Sequence, residues 1–261
     1  MPAVRSGIYL GYINFGSMIS KLNQYQNQIK DQLFVLPSTT VPVSDFFTNL
    51  TEARLNRPSV HLLKIIDTLE KRLLRGTVQI DGDSGRIIHY STELSESFDL
   101  SEVSSMVSEL SIITAYIKFV IKDHAIIDLS KPEPEFIFGV RPLLFIEEPE
   151  AHLHPETQIK FMDALIDLAN LGIHVIITSH SDYMLDCLGN KILGGEISSS
   201  EVASKLMVKS KKGSVVSKKM AAKPDGIEDH NFLRVTEKLF HKRIELNEKY
   251  DARVSRENKK S

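Results

Sequence analysis

Cysteine is nearly absent from this chain: Cys187 is the single thiol, so no internal disulfide can form. That excludes disulfide-stapled secreted folds and suits a reducing compartment. Long apolar runs are lacking too, since none approaches the ~20 residues needed to span a bilayer. The opening residues, Met-Pro-Ala-Val-Arg-Ser-Gly, have no apolar signal-peptide core. A cytoplasmic location without membrane contact is therefore expected. Net charge is only −2, so no global field draws the chain to nucleic acid. No internal repeat is present. The most consequential absence is a glycine-rich phosphate loop: no G-x-x-x-x-G-K-[ST] occurs anywhere. Gly11–Ser17 has the glycine spacing without the lysine, and Gly82–Arg86 reads as a hairpin turn.

What is present is ordinary for a globular protein, with 42% apolar and 25% charged residues. Met18, Leu22, Tyr25, Ile29 and Leu33 repeat at helical spacing over 17–33. Residues 34–44, with Pro37 and Pro42, read as a loop. Ser59 is placed to cap a helix carrying Leu62, Ile66, Leu69 and Leu73. Thr77–Asp81 and Arg86–Tyr90 flank a Gly-Asp-Ser-Gly turn and predict a hairpin. A long helix follows, with Met106, Leu110, Ile113, Ile117 and Val120 on one stripe, then a loop over 130–135.

From residue 142 the pattern changes to strand, helix, strand, helix. Leu143–Ile146 and Ile173–Thr178 are continuous apolar runs, as expected of strands buried on both faces. Ile159, Met162, Leu165 and Ala169 mark the helix between them, ending near Gly172. The alternation predicts an α/β fold with a parallel sheet. Ligands of such sheets bind beyond the carboxyl ends of the strands. Glu147, Glu148 and His180 fall at that edge. A hard cation needs oxygen ligands, so Glu147 is a candidate ligand for Mg²⁺. Glu148 is a candidate base that orients a water for attack on a phosphate, and His180 a candidate hydrogen-bond donor beside it. Lys205–Lys223 reads as a solvated hairpin, and a last helix over about 228–248 carries Phe232, Val235, Leu239 and Phe240. Cys187 reads as core and Arg5 as half of a structural ion pair.

Leu143–Pro155, with its Glu-Glu-Pro-Glu-Ala-His-Leu-His-Pro string, resembles the Walker B motif and D-loop of ABC-type AAA ATPases of the OLD/RecF/SMC-like group. Thr178-Ser-His-Ser181 resembles the H-loop. Ser101–Leu110 resembles a variant signature motif, and residues 2–7 a segment that precedes the helical insertion. The resemblance implies a partial P-loop-NTPase (ABC-type head) sheet with an inserted helical arm. It implies ATP and Mg²⁺ as cofactors, Glu147 on the metal side, and Glu148 and His180 as catalytic residues. It implies nucleotide contact at Ser104 and Ser105, and at His152 and His154 in the D-loop. On this reading residues 1–75 are arm, 76–250 the C-terminal lobe of the head, and 251–261 a charged tail. The implied reaction is ATP hydrolysis by heads that pair around nucleotide, either as a homodimer or with an N-terminal lobe or partner subunit. The output expected is DNA transactions or phage defence through a nuclease or toxin effector. The starting residues fall inside a family segment, so an internal start or a split gene is expected. Two other readings stand beside this one: a non-catalytic interaction module, and a metal-dependent nuclease.

Overall fold

The computed structural model describes residues 1–3, 5–11, 40–52, 57–82, 84–121, 142–211, 213–217, 220–229 and 232–257. The periodic stretch over 17–33 and the loop over 130–135 lie outside these residues. The chain divides into two compact units, Met1–Met184 and Leu185–Ser261.

The first unit opens with a short helix, α1, over residues 5–11. Helix α2 spans Val41–Glu52. It claims the end of the expected loop, because Pro42 sits in the first turn, where a missing N–H costs nothing. Ser59 caps the next helix as its spacing predicts, accepting from the His61 N–H at 3.2 Å. After a 3₁₀ turn, α3 (Leu63–Asp67) continues as a π-helix over Thr68–Leu74. Leu62, Ile66, Leu69 and Leu73 are all buried, and this helix packs against α4 and α5. It ends at Arg75, whose left-handed backbone (φ 50) turns the chain into the first sheet.

That sheet is β1 (Gly76–Ile80), β2 (Ile87–Ser91) and β3 (Glu96–Asp99), all antiparallel. The hairpin is as expected, with Ile80 opposite Ile87; β3 is an addition. Glu70 ties the helix to this sheet and to α4. Its carboxylate accepts from the Val78 N–H at 2.8 Å and from Lys118 Nζ at 2.7 Å. On β2, His89 is buried, and its Nδ1 has no hydrogen-bond partner among the described residues. Burial pushes its pKa below the usual 6.5, only partly offset by Glu70. Below pH 6.5 the unfolded chain therefore binds more protons at this site than the folded chain. We expect stability to fall as pH drops from 6.5 through the lower folded value. Thermal unfolding midpoints between pH 5 and 8 should show this slope, and His89→Gln should flatten it; equal slopes would refute the assignment.

Helix α4 spans Ser105–Phe119, and Ser104 caps it by accepting from the Val107 N–H at 3.4 Å. Its stripe is wider than the spacing suggests, because every residue from Ser108 to Ala115 is buried.

The second sheet pairs β4 (Leu143–Glu147) with β5 (His174–Thr178) in parallel, Leu143 opposite His174 and Glu147 opposite Thr178. Between them runs α5 (Pro155–Asn170), capped by His154 with Pro155 at its first position. Phe161, Leu165 and Leu168 fill the core beneath. This is the α/β arrangement with a parallel pair that the alternation predicts. The expectation of burial on both faces is corrected. Leu144 and Ile146 are buried, whereas Leu143 is 63%, Phe145 40% and Ile176 46% exposed. A period of two puts these three on one face, which the described residues leave exposed. Met1 bridges the outer edge of β4: its N–H bonds to Phe145 O, and its carbonyl accepts from Glu147 N–H at 2.9 Å. Among the described residues no strand pairs with the outer edge of β5.

Helix α6, Asp182–Leu193, crosses the division between the units. The second unit continues with a Ser198 capping box. Next come the antiparallel hairpin β6 (Leu206–Ser210) and β7 (Gly213–Ser217), as expected for the lysine-rich stretch. A two-residue pair, β8 (Ala222–Lys223) and β9 (Gly226–Ile227), follows. Cys187 is buried. Helix α7 spans Phe232–Glu257, longer than its spacing suggests, with Leu239, Phe240 and Tyr250 exposed. Among the described residues no helix is long and apolar enough to cross a membrane.

Candidate functional site

The site lies at the carboxyl ends of β4 and β5. Glu147 ends β4 opposite Thr178, which ends β5. The next residue, Glu148, leaves the strand with φ 43, in the left-handed region. Few non-glycine residues sit there, and the conformation persists only where the surroundings hold it. Its N–H donates to Thr178 O at 2.8 Å and lies 3.3 Å from Thr178 Oγ1. Its carbonyl accepts from the Ala151 N–H at 3.0 Å. Pro149 cannot extend the ladder, so the string Pro-Glu-Ala-His turns back on itself. His152 takes a second left-handed position (φ 63), and His154 then starts α5.

His180 follows β5 on the neighbouring loop. Its backbone N–H donates to Glu150 Oε1, which joins the two loops. Its side chain is 87% exposed, and Nε2 lies 3.9 Å from Glu148 Oε1. That distance is too long for a direct hydrogen bond and within reach of a water that bridges the two. Ser181 Oγ donates to Gln158 Oε1 and accepts from the Met184 N–H at 3.2 Å. Gln158 in turn holds Leu153 O at 2.9 Å. Both loops are thus braced from α5.

The strand ends bring Glu147, Glu148 and His180 together, as their positions predict. The other four expected site residues lie at the starts of α4 and α5 and on the turn before α5. Ser104 caps α4, and Ser105 is exposed in its first turn. His154 spends Nδ1 on the Glu156 N–H at 3.4 Å, which caps α5. His152 is exposed. A weak contact, Thr157 Oγ1 to Met106 Sδ at 4.0 Å, links the first turns of α4 and α5.

Residue patterns alone do not single out Glu150, Gln158 and Thr178, which brace the site. Glu150 sits in the most informative string of the chain, yet its partner is a backbone amide 30 residues away. Beneath the acids lies Arg5, wholly buried, with Nε 2.8 Å from Glu109 Oε2. Burial pushes its pKa down, and Glu109, Glu150 and Glu148 oppose that shift.

Among the described residues no cluster of three or more His, Cys, Asp or Glu is arranged to hold a metal. Mg²⁺ does fit the donor chemistry, because it takes one or two carboxylates and fills its shell with water and phosphate oxygens. Glu147 offers such a carboxylate at the exposed strand end, with Oε2 touched by the Ala3 N–H at 3.3 Å. The sequence contains no G-x-x-x-x-G-K-[ST] phosphate loop.

No curated protein matches the chain. Solved structures of SMC ATPases do. One comes from structural biochemistry of ATP-driven dimerization and DNA-stimulated activation of SMC ATPases. It is 14% identical with a TM-score of 0.39, over 75% of this chain and 96% of that one. Another is the Smc head domain of Pyrococcus furiosus with an extended coiled coil, bound to the C-terminal domain of ScpA. It is 12% identical with a TM-score of 0.34, over 87% of this chain and only 44% of that one. Similarity this loose assigns no role to any residue. The AAA ATPase domain family model matches residues 13–185, well over half of the sequence and including all seven candidate site residues. The chain belongs to the AAA ATPase domain family.

Proposed function

We propose that this chain is the metal-and-water half of an ATPase head of the OLD/RecF-like group. The observation that carries the reading is the convergence of Glu147, Glu148 and His180 on one sheet edge, with His180 Nε2 3.9 Å from Glu148 Oε1. Mg²⁺, when bound, neutralises charge on the phosphoryl oxygens. Glu147 holds it from the strand end, as a Walker B acid. Glu148 accepts a hydrogen bond from the attacking water and takes its proton. His180, as the switch histidine, donates to the same water or to a phosphate oxygen. Ala151–His154 form the D-loop, and Ser104 and Ser105 open the signature helix, where a helix N-terminus favours an anion.

The phosphate cradle comes from a separate lobe. The open face of Leu143, Phe145 and Ile176 supports this, because parallel sheets are covered on both faces. Heads completed in this way pair around nucleotide, and the pairing drives a DNA transaction or a defence effector. The same open face supports a second reading, an interaction module that binds a partner without turnover. Mg-ATP turnover separates the two. The chain is assayed alone and with a phosphate-binding lobe supplied as a separate polypeptide. Magnesium-dependent phosphate release by the pair supports the enzyme, and no release from either preparation leaves only the module. In the active pair His180→Ala should slow turnover by about tenfold or more, with nucleotide affinity within about twofold. An unchanged rate would remove His180 from the site.

A further inference from the structure

We propose that Arg5 is a positioning residue, which fixes the turn carrying Glu147 and Glu148 and links it to α4 through Glu109. This rests on the reading of Glu148 as the water-orienting acid. Arg5 Nη1 donates to Glu147 O at 3.0 Å and to Pro2 O at 2.9 Å, and Nη2 donates to Glu148 O at 3.3 Å. Nε faces Glu109 Oε2 at 2.8 Å. The other oxygen of Glu109 accepts from Ser6, through its N–H at 3.2 Å and through its hydroxyl. Arg5 and Glu109 are 0% and 1% exposed.

A buried ion pair is a poor source of stability, since apolar residues of the same size often do as well. What an apolar residue cannot do is present a planar fork of donors to several carbonyls at once. Two of these carbonyls belong to the successive acids. Glu148 is held in its left-handed conformation from both sides, by Thr178 at its N–H and by Arg5 at its carbonyl. Such a conformation relaxes when its restraints go. Glu109 lies five residues past Ser104, about 7.5 Å along α4 at 1.5 Å per residue. Arg5 therefore ties the N-terminal part of α4 to the carbonyl of Glu148 through Glu109.

Arg5→Lys separates positioning from mere structure, because lysine keeps the charge opposite Glu109 but loses the fork. Two readouts are taken on the full chain: hydrogen exchange at the amides of 148–151, and kcat and KM for Mg-ATP with the completing lobe added. We expect exchange to quicken by about tenfold or more there, with the β6–β7 hairpin unchanged. We expect kcat to fall by about tenfold with KM within about twofold. Glu109→Gln, nearly isosteric, should do the same and carries the test if Arg5→Lys fails to fold. Wild-type exchange in the folded variant would overturn the proposal, as would rescue of kcat by lysine. Absence of turnover in the wild type would sink the ATPase reading instead, and the exchange measurement would still decide the role of Arg5.

Discussion

Glu148→Gln is expected to lower Mg-ATP turnover by the completed head about a hundredfold or more, while nucleotide binding persists. The physical reason is basicity, since a carboxylate takes up a proton and a neutral amide does not. Glutamine has nearly the same shape and still accepts a hydrogen bond at one oxygen, so the left-handed turn is kept. It cannot take a proton from water at neutral pH. The carboxylate of Glu148 is half-exposed at the strand end, close enough to His180 to share a water with it. Removing a general base costs about 10²–10⁴ in rate. A nucleotide-bound pair that no longer turns over should accumulate, visible as a nucleotide-dependent increase in mass by light scattering. Equal phosphate release by wild type and variant would remove Glu148 from catalysis.

Glu109→Ala is expected to destabilise the first unit by about 3–5 kcal/mol, because it strands a buried guanidinium without its counter-ion. The loss extends beyond the ion pair, since Ser6 N–H and hydroxyl also lose their acceptor. A second variant makes the argument specific. Arg5→Met with Glu109→Leu replaces both charges by apolar groups of similar volume and should recover the share of the loss that comes from the stranded charge, while the Ser6 donors and the carbonyls of Pro2, Glu147 and Glu148 stay unpaired. Urea unfolding of the three proteins measures this, with the midpoint shift converted through a common slope. A double variant as unstable as the single one would mean that the pair itself supports the fold. A recovered double variant whose turn at 148–151 still exchanges fast would show that stability and positioning are separate.

Much of the fold is legible in the sequence where periodicity is strong. The stripes at 62–73 and 106–120 and the strand–helix–strand pattern from 143 all appear where the spacing puts them. β3 is not legible, because Glu-Ser-Phe-Asp is short, polar and without alternation. The one-sided exposure of β4 and β5 is hidden for the opposite reason. A continuous apolar run has no polar residues to mark which face is open, so Leu143 and Phe145 read like Leu144 and Ile146. The site divides in the same way. Glu147, Glu148 and His180 are legible because strand ends in a parallel sheet share an edge. Arg5 and Glu150 carry their contacts to backbone atoms across 142 and 30 residues, and no local pattern encodes such partners. His154 has a place no local pattern announces: it caps α5, with its side chain accepting from the Glu156 N–H.

The most direct measurement is turnover of Mg-ATP as the phosphate-binding lobe is titrated onto a fixed amount of this chain. If Glu147, Glu148 and His180 form one half of the site, turnover starts near zero and rises with added lobe. It should saturate at one lobe per chain and vanish throughout with Glu148→Gln. Turnover by the chain alone that ignores added lobe would contradict a divided site, and a saturated complex that hydrolyses nothing would contradict the ATPase.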